Sequence, residues 1–187
     1  MATKGNIKKA FYYVNVPLIS SRISIYGESI EALDGRIVTL DMTRSLRGKS
    51  LEIKFRVKNE NGKLAGQPEL INLAGSFVRR MMRGGIDYAE DSFEVQCKDG
   101  KAVIKPFMIT RQRVSRSVLK HLRNEARKFL EGFCRARSVI EIFSDITSNK
   151  IQKELSYKLK KIYPLALCEI RMFRVLKEEK KQGASLQ

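Results

Sequence analysis

Strict alternation of apolar and polar residues in two stretches constrains the fold of this chain more than any other feature. Residues 51–57, LEIKFRV, would place four apolar side chains on one face of a strand and three charged ones on the other. Residues 92–110 contain two more alternating runs, joined by the turn-forming pair Asp99-Gly100. The Asn-Gly pair at 61–62 indicates another hairpin, and residues 18–26, 36–42 and the region near 69–73 also favour strands. The first 110 residues therefore predict mainly strands.

Helical spacing replaces this alternation in the second half. One apolar stripe repeats at steps of three and four and predicts a helix near 114–134 that buries Val114, Val118, Leu122, Ala126, Phe129 and Phe133. A short helix is expected near 75–83, stopped by Gly84-Gly85, and a helical turn or two at 138–143. A further helix is expected within 149–162, capped by Thr147 or Ser148, and a last strand at 165–176.

Strands followed by helices and a returning strand predict an α+β fold, since a doubly wound sheet would alternate the two throughout. We expect the strand-rich part, 11–110, to resemble a small β-barrel, and the helix-rich α/β part, 111–177, to end in the returning C-terminal strand. Together they would form one compact domain, 11–177. A basic, mobile arm at 1–10 and a polar tail at 178–187 would flank it.

The charge of the chain indicates its class of partner. It has 37 Lys and Arg against 20 Asp and Glu, a net charge of +17 and a pI near 10.0. Because hydrophobic residues make up 43% of the chain, the charge belongs to a folded protein and predicts a polyanionic ligand. No apolar stretch reaches the roughly 18–20 residues needed to span a bilayer, and no signal-peptide pattern is visible, so we expect a cytoplasmic protein.

Patterns that would indicate an enzyme or a cofactor site are weak. The RGKS run at 47–50 resembles the end of a phosphate-binding P-loop, but Thr43 stands where that loop needs glycine. His121 is the only histidine, so a Ser-His-Asp triad would depend on a side chain within a cationic segment. We therefore predict no catalytic residue, no cofactor and no enzyme activity.

Metal sites are equally poorly supported. Cys97, Cys134 and Cys168 are far apart, and no C-x-x-C occurs, so we expect no zinc site and three cysteines in the interior. The acids between Asp87 and Asp99 match no cation-binding loop. They indicate either a solvated hairpin rim or a docking point for a basic segment of another protein.

A row of cations shares the long helix with the apolar stripe. Its members repeat at helical spacing: Arg113, Arg116, Lys120, Arg123 and Arg127. Glu125 and Glu131 are too few to neutralise the row, and like charges at this spacing destabilise a helix by a few tenths of a kcal/mol per pair. The row is either a solvated helix face or a surface that binds phosphate, and the unbalanced charge favours phosphate.

Five stretches together resemble one protein family. They are KKAFYYVNVP at 8–17, Gly35-Arg36, NLAGSFVRRMMRGGIDY at 72–88, DGKAVIKPFMITRQR at 99–113 and IYPLALCEIRMFRVLK at 162–177. In order and spacing they are similar to the archaeal and eukaryotic small-subunit ribosomal protein family S-three-A-e, also called e-S-one. The resemblance covers residues 8–177. It fits the compact archaeal form or a reduced eukaryotic one, since the family's long eukaryotic extensions have no counterpart in this sequence.

The resemblance implies a structural, ribosome-associated protein that binds small-subunit rRNA on the platform near the mRNA exit and supports assembly and translation. Neighbouring platform proteins, and mRNA near the exit channel, would be further partners. The side chains expected to bind RNA are Lys8, Lys9, Arg79, Arg80, Arg83, Arg111, Arg113, Arg116, Lys120, Arg123 and Arg127. Tyr12 and Tyr13 are expected either to stack on RNA or to pack in the core. The alternatives are a dissociable RNA chaperone or translation factor, and an RNA-modifying enzyme.

Overall fold

The computed structural model describes residues 9–16, 23–44, 46, 48–60 and 62–176. The chain divides into two compact units at the boundary between Ala74 and Gly75. We describe the units separately, as unit 1 and unit 2. The boundary precedes the change from strands to helices that the sequence predicted near residue 110, and the prediction of a single domain over 11–177 stays a prediction.

Unit 1 is a sheet of strands joined by short connections. Its strands are β1 (Ala10–Asn15), β2 (Ile23–Gly27), β3 (Ile37–Asp41), β4 (Leu51–Glu60) and β5 (Lys63–Leu73). A single 3-10 turn at Glu31–Leu33 lies between β2 and β3. The strand order is β2-β1-β5-β4-β3, and every pairing is antiparallel except the parallel one between β1 and β5.

The predicted alternation of β4 is confirmed. Leu51, Ile53, Phe55 and Val57 are at most 1% exposed, whereas the residues between them are partly accessible. The β4–β5 hairpin turns at Gly62, whose φ of 80° lies in the left-handed region that glycine adopts without strain. Its N–H donates to Asn59 Oδ1 at 3.1 Å. These features explain why the Asn-Gly signal identified the hairpin correctly.

Two expectations for unit 1 need correction. Among the described strands, β2 and β3 end the order and do not pair with each other, so the sheet is open and not the closed small barrel that we expected. The strand predicted near 69–73 is longer, because pairing with β4 extends β5 back to Lys63. The first residues of the predicted strand 18–26 lie outside the described residues.

Unit 2 combines the remaining strands with the helices. The elements in chain order are α1 (Gly75–Met81), β6 (Tyr88–Glu90), β7 (Phe93–Cys97), β8 (Gly100–Thr110), α2 (Arg116–Arg135), α3 (Val139–Thr147), α4 (Lys150–Leu159) and β9 (Leu165–Val175). β8 is the central strand and pairs antiparallel with β6, β7 and β9. Helix α2 packs on β6, β7 and α4, and α4 packs on β9.

The buried face of α2 differs in part from the predicted stripe. Leu122 and Ala126 are fully buried as expected, but Leu130 and Cys134 continue the core, while Phe129 and Phe133 are only half-buried beside it. A stripe at steps of four drifts around the helix, because four residues turn it by slightly more than one full turn. The buried face therefore runs through Leu122, Ala126, Leu130 and Cys134 and leaves the two phenylalanines at its border.

Other predicted helix features have mixed outcomes. Asn149, with φ 59°, precedes α4 without a capping side-chain bond, so the predicted cap at Thr147 or Ser148 is wrong. Those two hydroxyls instead donate to carbonyls of α3, at Phe143 and Asp145. The predicted turns at 138–143 form the longer helix α3, because Ser138 and Glu141 make a reciprocal capping box.

The α+β class, the strand-rich first half and the returning C-terminal strand are confirmed. Cys97, Cys134 and Cys168 are buried thiols, as expected. A hydrogen bond from Cys134 lowers the pKa of Cys97. The same hydrogen bond, together with burial, raises the pKa of Cys134. None of the helices in the described part of the chain is long and apolar enough to cross a membrane.

Candidate nucleic-acid interface

The segment between β8 and α2 is held by Asp87, which directly precedes β6. Asp87 accepts a hydrogen bond from the backbone N–H of Val114 through Oδ2, at 2.9 Å. The backbone of Asp87 is fixed to β8, since Thr110 N–H donates to its carbonyl at 2.9 Å. The backbone between Thr110 and α2, which carries Arg111 and Arg113, is therefore attached to the sheet at both ends.

The cations of this segment and of the first turns of α2 form an exposed group. Arg111, Arg113, Arg116 and Lys120, here called the α2 entry cluster, are all exposed. Among the described residues, none of the four forms an ion pair or a side-chain hydrogen bond. Arg116 also starts α2, where the first-turn N–H groups already carry partial positive charge. The cluster is thus a concentration of uncompensated positive charge on a fixed backbone.

The second half of the predicted cationic row has protein partners. Arg127 lies 3.4 Å from Glu131, and its guanidinium is 4.9 Å from the centre of the Phe93 ring on β7. Arg123 is half-buried beside the strands. Arg127 is therefore already engaged within the protein, whereas Arg113, Arg116 and Lys120 in the first half of the row are exposed.

Two cations in and just after the second half of α2 are paired within the protein. Arg137 pairs with Asp145 and lies over the Phe133 ring at 3.7 Å. Lys128 donates to Glu125 at 3.0 Å, and this hydrogen bond lowers the pKa of the Glu125 carboxyl. Lys128 and Arg137 thus differ from the members of the α2 entry cluster, which have no such partners among the described residues.

The other predicted RNA-binding cations lie in several places. Arg79, Arg80 and Arg83 are exposed on or just after α1, and Arg80 lies 5.4 Å from the Phe77 ring centre. Lys9 is exposed in unit 1 and lies 3.7 Å from Glu28. Lys8 lies outside the described residues.

Two clefts in unit 2 are each lined by residues of α1 or α2 together with residues of the acidic stretch. One, of about 600 Å³, is lined by residues that include Arg123, Lys105 and Asp91. The other, of about 300 Å³, is lined by residues that include Arg79 and Arg171. Tyr88 and Glu90 line both clefts, so the predicted arginines of α1 and α2 border adjoining cavities.

The acidic stretch has specific roles within unit 2. Glu90 forms an ion pair with Arg171 of β9 at 2.6 Å, and Asp91 accepts from Ser92 N–H at 2.8 Å. The sequence indicated either a solvated hairpin rim or a docking point for another protein, whereas Asp91 lines the same cleft as Arg123 of this chain. Sequence reasoning also missed Lys105, because alternation in β8 gives no indication that its side chain reaches a cleft.

Comparisons with known proteins show to which family the chain is similar. The model of the Ribosomal S3Ae family matches residues 5–179. The small ribosomal subunit protein eS1 of Nanoarchaeum equitans is 27% identical over 182 residues, which cover 92% of this chain and 91% of that protein. The protein of the same name from Methanothermobacter thermautotrophicus is 28% identical over 144 residues, covering 74% and 72% of the two chains.

A third relative gives the same result. The small ribosomal subunit protein eS1 of Methanobrevibacter smithii is 28% identical over 179 residues, which cover 90% of this chain and 92% of that protein. The family model spans nearly all of the chain, including both units and the α2 entry cluster. The family consists of ribosomal proteins and not of enzymes, in agreement with the sequence-based expectation. This chain, with its open sheet and its cationic helix entry, belongs to the Ribosomal S3Ae family.

Proposed function

We propose that this protein is a structural component of the small ribosomal subunit and binds rRNA through the α2 entry cluster. The observation that carries the proposal is the exposure of Arg111, Arg113, Arg116 and Lys120 without ion-pair partners among the described residues. Four such cations on a fixed backbone repel one another, and phosphate oxygens of RNA would remove that repulsion.

The mechanism is neutralisation and positioning. Arginine forks hold two phosphate oxygens at once, so they fix the direction of a backbone as well as its charge. Because Asp87 holds the start of the cluster against β8, the cations would meet the RNA already ordered, at a smaller loss of conformational entropy. Recognition of this kind reads the shape of folded RNA more than its sequence.

The arginines of α1 and α2 that border the two clefts of unit 2 would extend the interface. Arg79 and Arg123 line adjoining cavities that share Tyr88 and Glu90. The Glu90 carboxylate pairs with Arg171, but a carboxylate has about four acceptor sites and can accept a further hydrogen bond. A ribose hydroxyl or a base edge can donate to such a carboxylate, whereas a phosphate would be repelled. We therefore assign phosphate contacts to the α2 entry cluster and sugar or base contacts to the clefts.

The relatives are named as small-subunit proteins, and the resemblance of the sequence to their family is the reason for a finer placement. The protein would lie on the platform near the mRNA exit, beside other platform proteins, in ribosomes of the cytoplasm, and would support assembly and translation. Mobile mRNA near the exit would be a further ligand.

Sedimentation tests the proposal. The tagged protein should remain with small subunits through a sucrose gradient at high salt. Salt weakens each phosphate contact, but an integral component also makes packing contacts within the subunit that salt does not screen. A dissociable RNA chaperone or translation factor would instead appear at the top of that gradient while sedimenting with subunits at low salt. Recovery in the top fractions at both salt concentrations would contradict any stable role in the ribosome.

A further inference from the structure

Three aromatic side chains project into solvent from β1 and β2 of unit 1. Phe11 and Tyr13 are each 68% exposed and Tyr26 is 52% exposed. Phe11 and Tyr26 are opposite each other in the antiparallel pairing, and their ring centres are 5.0 Å apart at an angle of 50°. We call these three residues the aromatic face. A contiguous exposed apolar surface of this kind marks an interaction site.

Strand geometry fixes the outward direction of these rings. Val14 in β1, and Val16 just after the strand, are at most 2% exposed and belong to the core. Residues of odd number in β1 must therefore face outward, since successive side chains of a strand alternate. Tyr12 is on the core side, where its hydroxyl donates to the carbonyl of Glu28 at 3.4 Å. The structure thus shows that Tyr13 faces outward and Tyr12 faces the core side, whereas the sequence gave both residues the same two possible roles.

Cations and polar groups surround the aromatic face. Arg36 donates to the carbonyl of Tyr26 at 3.1 Å, which places its guanidinium beside β2. An open cleft of about 460 Å³ adjoins Tyr13 and is lined by residues that include Asn15 and Lys63. Lys9, two residues before Phe11, is exposed and lies 3.7 Å from Glu28.

This combination matches the chemistry of unpaired nucleotides. Bases stack on aromatic rings regardless of sequence, and neighbouring cations bind the phosphates that connect the bases. The outward positions of β1 and β2 also include Asn15 and Ser24, which can hydrogen-bond to base edges or ribose. A protein partner is less well matched, because the cations beside the rings, Arg36 and Lys63, favour a polyanion.

We propose that the aromatic face of β1 and β2 binds a single-stranded segment of RNA by stacking unpaired bases on Phe11, Tyr13 and Tyr26. The proposal rests on the proposed function and deepens it, because it adds a second RNA site with a different ligand class. The α2 entry cluster would hold folded RNA by its phosphates, whereas the aromatic face would hold bases that are not paired.

Tryptophan fluorescence gives a direct test, because the chain contains no tryptophan. Tyr13→Trp places a single reporter in the aromatic face, and stacking of a base on the indole quenches its emission. Addition of a short oligouridine to the full-length variant should quench this emission. Tyr157→Trp is the matched control, since Tyr157 is a 74% exposed aromatic residue on α4, and its emission should not change.

Affinity measurements separate stacking from general apolar contact. Tyr13→Ile and Tyr26→Ile keep an apolar side chain that favours strands, but remove the ring. Each should weaken oligouridine binding by about tenfold, within the range measured for loss of one base–aromatic stack. Tyr13→Phe should bind like the wild type, and Tyr157→Ile should not change the affinity.

The outcomes distinguish this proposal from the proposed function. Unchanged oligouridine affinity in both isoleucine variants, or absence of quenching at position 13, would overturn the aromatic site. If the same variants lost a neighbouring protein from purified small subunits while oligouridine binding stayed intact, the face would be a protein contact and the proposal would be wrong. Binding of a structured RNA hairpin through the α2 entry cluster would be unaffected by either result.

Discussion

Asp87 accepts a hydrogen bond from the N–H of Val114 at 2.9 Å, across 27 residues of chain. An acid from the one acidic stretch thereby holds the basic segment that precedes α2. We expect Asp87→Ala to lower the free energy of unfolding by about 1–3 kcal/mol, because a partly buried donor loses its charged acceptor. Urea denaturation would measure the change.

Hydrogen exchange gives a more local readout of the same variant. The amide of Val114 should exchange faster in Asp87→Ala, whereas Asp87→Asn, which keeps an acceptor oxygen, should retain most of the protection. Glu94→Ala is the control, since Glu94 is an exposed acid on β7 of the same stretch. Equal stability and equal exchange in wild type and Asp87→Ala would show that the bond does not order the segment.

The α2 entry cluster should determine how RNA binding depends on salt. We expect Arg113→Gln, Arg116→Gln and Lys120→Gln together to weaken binding to structured RNA. The slope of the logarithm of the binding constant against the logarithm of the salt concentration should become shallower. The change should be up to about 0.9 for each duplex phosphate that is no longer neutralised, and less for single strands. Filter binding at several salt concentrations would measure both effects, and circular dichroism should show an intact fold.

A charge-matched control tests whether position matters. Lys153→Gln, Lys160→Gln and Lys161→Gln remove the same number of exposed cations in and after α4. If RNA binding depended only on net charge, the two triple variants would behave alike, and the assignment to the entry of α2 would be wrong. Arg123 is left out of the first set because it is half-buried.

Leu122 should be among the most sensitive positions in unit 2. It is fully buried on α2, so Leu122→Ala should destabilise the protein by about 2–5 kcal/mol through reduced burial and the cavity that remains. Leu119→Ala, one turn earlier at a half-buried position, should cost less. Comparable destabilisation of the two variants in urea would contradict the orientation of α2, in which Leu122 faces the core.

The capping box of α3 predicts a dependence of stability on pH. The Ser138 N–H donates to Glu141 Oε2 at 2.9 Å and lowers the pKa of that carboxyl. The folded state thus favours the ionised form, so its stabilisation is complete above the ordinary glutamate pKa, about 4.3. It is lost as the pH falls further, through the lowered pKa of the folded state.

Glu141→Gln isolates this effect, because glutamine keeps the shape of the capping box without the charge. The wild type should be the more stable of the two at neutral pH, and the difference should disappear in acid, once the pH is below the lowered pKa of Glu141. Urea denaturation at both values would measure it. A difference that grew as the pH fell would mean that the Glu141 carboxyl is stabilised in its neutral form.

Elements that depend on local pattern could be predicted from the sequence. The β4 strand, both hairpins and the long helix follow from alternation, turn residues and helical spacing within short windows. The open order of unit 1 could not be predicted, because the parallel pairing of β1 with β5 joins Val14 to Leu64, which are distant in the chain. Nothing in either strand alone specifies that partner.

The candidate interface was predictable as a set of cations but not as an arrangement. Spacing identified the row of cations on α2, but it predicted that Arg116 and Arg127 would be equally available to RNA. The structure distinguishes them, because Arg127 lies against Phe93 and Glu131 whereas Arg116 is exposed. Residues such as Phe93 become neighbours of α2 only through tertiary packing, so a single-sequence pattern cannot show which charges are already in use.

The central position of β8 has a consequence for the order in which unit 2 is built. β6 and β7 precede β8 in the chain, but β9 follows only after α2, α3 and α4 have been synthesised. Until then β8 presents one unpaired edge along its length, and such an edge can pair with other chains. A nascent chain arrested before β9 would therefore be prone to aggregation, and timely synthesis of β9 would protect the rest of unit 2.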